Sequence, residues 1–150
     1  MITAVSAEEE YTVCSGKENT FVSAEKDYIV SPWTENHRDK GGSFSPMRLT
    51  QYIRQGQTIT NNVKVGSGVE YLEVDLNWGD KSDSLALSIY TPSGRKVGTY
   101  RDKSDRKVDG RIHFRMDPSY GCVDRGTWKF KVCGESISGI EGYTFGVYQH

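Results

Sequence analysis

Leu72-Glu-Val-Asp-Leu-Asn-Trp78, followed after a short polar break by Ser84-Leu-Ala-Leu-Ser-Ile-Tyr90, decides how the rest of the chain is read. Leu72, Val74, Leu76 and Trp78 alternate with Glu73, Asp75 and Asn77, and Leu85, Leu87 and Ile89 alternate with Ala86 and Ser88. Successive side chains of an extended chain point to opposite faces, so a period of two with one oily set predicts strands with one dry face. A helix would repeat at three to four residues instead.

The same period recurs downstream. Ile112, Phe114 and Met116 alternate with Arg111, His113 and Arg115; Trp128, Phe130 and Val132 alternate with Lys129 and Lys131; Tyr143, Phe145 and Val147 end the series. Thr58–Val65 and Lys96–Arg101 are weaker strands of the same kind. Turn chemistry separates them: Gly79-Asp-Lys-Ser-Asp83 is a loop, Thr91-Pro-Ser-Gly94 suits a β-turn, and Asp109-Gly110 and Asp117-Pro118 punctuate the next strand. Short antiparallel strands with one apolar face each must bury it against a second sheet. The expected fold is all-β: an antiparallel two-sheet β-sandwich, jelly-roll-like, of about eight strands.

Composition agrees. Val, Ile, Thr, Tyr, Phe and Trp supply 49 of 150 residues while Leu and Ala supply 9, which opposes a helical bundle. The formal charge is −1, without the basic excess of a general nucleic-acid binder. No apolar stretch approaches the roughly 18 residues a spanning helix needs.

Residues 1–45 read as an N-terminal extension or linker able to add a strand, and 46–150 as the sandwich domain. Asn36–Ser45 is polar and contains Gly41-Gly42, a loop composition. Ala4-Val-Ser-Ala7 resembles the end of a signal peptide, which points to export. Three cysteines, Cys14, Cys122 and Cys133, contain no C-x-x-C pair, so a structural zinc site has no support. Gly126–Cys133 reads as one strand, which at about 3.3 Å per residue carries Cys133 too far from Cys122 for a disulfide. Cys14 with either of the others is preferred to Cys122–Cys133, and three free thiols stand level with it.

Three segments carry a resemblance to a known family: Ile53-Arg-Gln-Gly-Gln-Thr58; Leu72 to Trp78 with Asp83-Ser-Leu-Ala-Leu-Ser-Ile-Tyr-Thr-Pro-Ser-Gly94; and Gly126-Thr-Trp-Lys-Phe-Lys-Val132 with Gly142-Tyr-Thr-Phe-Gly-Val147. In order and spacing, over about residues 47–149, they resemble the pre-peptidase C-terminal (PPC) domain, related to the P domain of subtilisin-like convertases. The resemblance implies an eight-stranded sandwich appended to secreted bacterial and archaeal proteins, usually without catalysis of its own. Such domains assist folding, secretion or substrate binding, and some bind calcium.

The search for chemistry yields surface candidates. His37, His113 and His150 belong to no recognisable triad, and no G-x-S-x-G elbow or phosphate-binding glycine loop occurs, so no catalytic residue is assigned. Glu73 and Asp75 share a wet face roughly 7 Å apart, a spacing compatible with glycosidase carboxylates, and support the alternative of a glycan-active hydrolase. Asp80 and Asp83, in a loop with Ser82, are the preferred calcium ligands. Asp102, Asp105 and Asp109 form a second acidic group, opposed by Arg101, Lys103, Arg106 and Lys107.

If the 111–116 and 127–133 strands share a sheet, Arg111, His113, Arg115, Lys129 and Lys131 form one cationic stripe suited to an acidic polysaccharide. Trp33, Tyr71, Tyr90, Tyr100 and Tyr148 offer rings for stacking on sugars. The reading is a monomeric, non-catalytic binding or structural module, secreted or at the cell surface, contacting polysaccharide or protein but not nucleic acid. A self-assembling cell-surface protein is a further alternative.

Overall fold

The computed structural model describes residues 26–34, 44–105 and 108–150, with backbone alone for 44–48 and 105. The signal-like Ala4–Ala7, Cys14, His37 and most of the Asn36–Ser45 loop lie outside them. Nine strands are present among the described residues: β1 (Tyr28–Pro32), β2 (Phe44–Arg54), β3 (Thr58–Val65), β4 (Leu72–Asn77), β5 (Ser84–Tyr90), β6 (Lys96–Tyr100), β7 (Arg111–Pro118), β8 (Gly126–Ser136) and β9 (Ile140–Gln149). A single 3-10 turn, Asp102–Asp105, follows β6.

The strands form two antiparallel sheets, one ordered β1-β7-β4-β9-β2 and the other β3-β8-β5-β6. The alternation read from sequence is the burial pattern observed on β4 and β7, while on β5 Ala86, read as facing solvent, is buried with its neighbours. Leu72, Val74 and Leu76 are fully buried, as are Leu85, Leu87, Ile89, Ile112, Trp128, Phe130, Val132, Phe145 and Val147. Aromatic contacts join the layers: Phe130 meets Phe145 at 5.5 Å between centroids, Tyr100 meets Phe114 at 5.0 Å, and Tyr28 and Trp128 form a T-shaped pair at 5.1 Å. Burial of these faces is the main stabilising term.

β1 falls in the stretch set apart as an extension. It pairs with β7 from Tyr28↔Pro118 to Pro32↔Phe114 and closes one edge of the larger sheet. The Tyr28 hydroxyl accepts from the Asp124 backbone N–H, and Arg95 donates to the Lys26 carbonyl.

The loop Gly79–Asp83 is held by a close backbone approach. The Trp78 and Gly79 amides both donate to the Gly110 carbonyl, at 2.8 and 2.9 Å. Gly110 has φ +78°, and a Cβ there would lie 2.7 Å from the Gly79 carbonyl carbon. Only glycine suits both the backbone angle and the gap. The Thr91 turn closes as expected, with the Gly94 amide donating to the Thr91 carbonyl.

Cys122 is disulfide-bonded and Cys133 is a free thiol on β8. A Cys122–Cys133 bond is thereby excluded, as strand length requires, and the expectation of three free thiols is corrected. Among the described residues no helix is long and apolar enough to cross a membrane.

Candidate functional site

Three polar regions surround the core: the outer face of each sheet, and a rim where the β4–β5 loop meets the start of β9. The sequence-derived cationic stripe is divided between the two faces. β7 lies in the five-stranded sheet and β8 in the four-stranded one, so Arg111, His113 and Arg115 do not share a face with Lys129 and Lys131. The condition for a single stripe is not met, because sheet membership is fixed by pairing partners and not by the local alternation.

On the five-stranded sheet the basic groups are matched by acids. Arg111 donates from Nε and a terminal nitrogen to the two carboxylate oxygens of Asp75, each at 2.8 Å. Arg115 makes a two-pronged contact with Asp117 and lies over the Tyr71 ring, 3.7 Å from its centroid. Glu73 meets His113 Nε2 at 2.7 Å and His150 Nε2 at 3.2 Å. Burial alone would raise the Glu73 carboxyl, but the hydrogen bonds and charge of the two imidazoles outweigh it and hold the group below its ordinary value.

Rings frame the same cluster. Trp33 stacks on His113 at 5.2 Å with an 18° interplanar angle, and Tyr71 stacks on His150 at 4.6 Å and 5°. Tyr71 is buried and Tyr100 turns inward onto Phe114, so neither is the exposed stacking platform expected from sequence. Glu73 and Asp75 share the outer face, as their spacing requires. Each is engaged by a basic partner, which corrects the picture of two open carboxylates.

The rim brings Asp80 and Asp83 together and adds Glu141, which sequence reasoning missed. Ligand oxygens of the three lie within 4.8 Å of one another. β4 and β9 are neighbours in one sheet and their last pair is Asn77 opposite Thr144, so the β4–β5 loop leaves β4 beside the first residues of β9. Nothing local reveals this across 60 residues of sequence; the β4–β9 pairing alone would have.

Asp80 Oδ1 accepts from the Ser82 amide and hydroxyl, an Asx-type turn that holds its carboxyl below the usual range. Asp83 is buried, accepts from the Ser138 amide, and its carbonyl receives the Trp78 indole N–H. Glu141 occupies an inward-facing position at the start of β9. Burial and the like charges of Asp83 and Asp80 push its carboxyl up to about 7. The second acidic group is used differently: Asp102 accepts the Asp109 and Gly110 amides and closes its own loop.

No family model matches the chain, and no curated protein sequence does. Solved structures share the fold. The Clostridium perfringens CspB protease superimposes with a TM-score of 0.50 at 11% identity, over 68% of this chain and 24% of that one. Pseudomonas aeruginosa AlgX gives 0.50 at 19% identity, over 73% of this chain and 27% of that one. The chain therefore spans about a quarter of the length of the solved proteins it matches. At these identities the likeness shows a β-sandwich and no more.

Proposed function

We propose that the chain is a non-catalytic binding or structural module, of PPC type, belonging to a secreted or cell-surface protein. One observation carries this reading. Glu73, Asp75 and Asp117 on the outer face of the larger sheet are each tied to a basic side chain, while the layer beneath is filled by packed hydrophobic residues. A hydrolase needs one carboxyl free to hold a proton and a second free to attack or to activate water. Glu73, held ionised by two imidazoles, and Asp75, clamped by Arg111, suit neither role.

Two features support the compartment and the modular role. A disulfide at Cys122 belongs with an oxidising environment. The sandwich recurs as roughly a quarter of two larger proteins.

Asp80, Asp83 and Glu141 fit a hard cation: the donors are all oxygens, they converge, and burial, with the hydrogen bond and like charge of Asp83, raises the Glu141 carboxyl. Calcium there would tie the β4–β5 loop to β9, with backbone carbonyls or water completing the shell.

Incubation with a panel of neutral and acidic polysaccharides, followed by a reducing-end assay, tests the central claim. No release of new ends is expected from the wild-type chain. Release that Glu73→Gln abolishes would overturn it.

A further inference from the structure

The outer face of the four-stranded sheet differs from its counterpart: among the described residues its lysines are not matched by acids. Register fixes its layout. Lys131 on β8 stands between Thr60 of β3 and Ser88 of β5; one pair further along, Lys129 stands between Asn62 and Tyr90, and Tyr90 pairs onward with Lys96 of β6. Lys64, opposite Thr127, extends the group on the β3 side.

Among the described residues none of Lys64, Lys96, Lys129 and Lys131 is ion-paired. Lys64, Lys96 and Lys129 are exposed, and Lys131 lies over the Tyr90 ring at 4.9 Å. The acid at the end of β8, Glu135, is taken by the Arg101 guanidinium through two hydrogen bonds of 2.8 Å. With strands about 4.8 Å apart and residues about 3.3 Å apart, the four ammonium stems spread over an area some 14 Å across.

We infer that this face, centred on Lys129 and Lys131, is the docking surface for a carboxylate-bearing polysaccharide. The inference deepens the proposed module reading and rests on it. Charge complementarity supplies the first argument: four unmatched cations on one face of a chain whose formal charge is −1. The groups between the lysines supply the second. Thr60, Asn62 and Thr127 are short hydroxyls and an amide suited to the hydroxyls of a sugar chain, while Ser88 and Thr99 hydrogen-bond each other at 2.9 Å.

Other polyanions fit less well. Among the described residues the large exposed hydrophobic side chains, Ile29, Tyr52, Val108 and Ile140, all lie off this face and offer there neither a wedge for a lipid surface nor the buried anchors of a protein interface. A single half-buried ring is too few for the base stacking of single-stranded nucleic acid.

Affinity electrophoresis of the full chain through gels containing polygalacturonate tests the assignment. Retardation is expected and should weaken with added salt. Lys129→Ser/Lys131→Ser should weaken it about tenfold, while Lys81→Ser/Lys103→Ser, with the same charge change elsewhere, should stay within about twofold. Should the double variant melt early, Lys131→Gln alone takes its place, with a smaller loss expected.

Absence of retardation, equal losses in both double variants, or equal retardation by fully methyl-esterified pectin would each overturn the proposal. So would tighter binding to oligo(dT) or phosphatidylserine vesicles. None of these results bears on the reducing-end assay, so this surface can fail while the module reading stands.

Discussion

Glu73 bonds the imidazole of His113, yet the residue directly across from Glu73 is Arg115. The whole network is displaced in this way. Asp75 faces His113 and bonds Arg111, so both ties run along the diagonal of the β4–β7 pairing, within reach of long side chains. Arg115, left without a cross-strand acid, takes Asp117 on its own strand and covers Tyr71. The basic side chains of this outer face are thereby each matched by a carboxylate.

Glu73 gives the first prediction. Its folded carboxyl is held below the ordinary value, so its contribution to stability is present above the unfolded value of 4.5. That contribution is lost as pH falls through the lower folded value. Glu73→Gln should flatten the acid limb of a melting temperature–pH curve below about pH 4.5 and leave the limb above pH 8 unchanged. An unaltered acid limb would show that the two imidazoles do not hold this group.

Trp128 is fully buried, stands perpendicular to the Tyr28 ring and donates its indole N–H to the Asp124 carbonyl. Truncating Trp128 or Phe130 to Ala should cost roughly 3–5 kcal/mol through lost transfer energy and the cavity left behind. Lys64→Ala, on the exposed side of β3, should stay within about 0.5 kcal/mol. Circular-dichroism melts separate the three.

What the sequence reveals follows the range of the interactions. The strands Thr58–Val65 and Ser84–Tyr90 have the bounds that alternation predicts, because a dry face imposes its period on every residue of the segment. β2 is less legible: its first residues, Phe44 and Ser45, belong by composition to the preceding polar loop. Sheet membership is not local at all. β7 and β8 carry the same oily–basic alternation yet stand in different layers, and this separates Lys129 and Lys131 from Arg111. For the rim, Asp80 and Asp83 are visible as loop acids, whereas Glu141 joins them only through the β4–β9 register.

The cysteines give a chemical prediction. Of three in the chain, Cys122 is bonded and Cys133 free, so a thiol-titrating reagent should count one thiol per native molecule, mapping to Cys133 by mass spectrometry. Alkylating it should leave the melt unchanged. Reducing the disulfide should destabilise the fold by roughly 2–5 kcal/mol.

Gly110 links the fold to the rim. An alanine there would need a left-handed backbone and would press its Cβ against the Gly79 backbone, the point from which the Asp80–Asp83 loop departs. Gly110→Ala should therefore lower the melting temperature and weaken any calcium-dependent stabilisation. Gly56→Ala, also left-handed but with open space around its Cβ, should lower only the melting temperature.

Glu141 carries the last prediction, in which pH and calcium are linked. Its carboxyl is raised to about 7 in the folded chain against 4.5 when exposed. Between those values the unfolded chain has released a proton that the folded chain keeps. Stability from this group is full below about pH 4.5, falls as pH rises through 7, and stays low beyond. Glu141→Gln should remove that decline. Calcium, binding the ionised cluster, should restore stability above pH 7 and have little effect at pH 5, where Glu141 holds its proton. Melts at pH 5 and pH 8, with and without excess Ca²⁺ or EDTA, decide the matter: a calcium shift of equal size at both pH values, or one surviving in Glu141→Gln, would remove Glu141 from the ligand set.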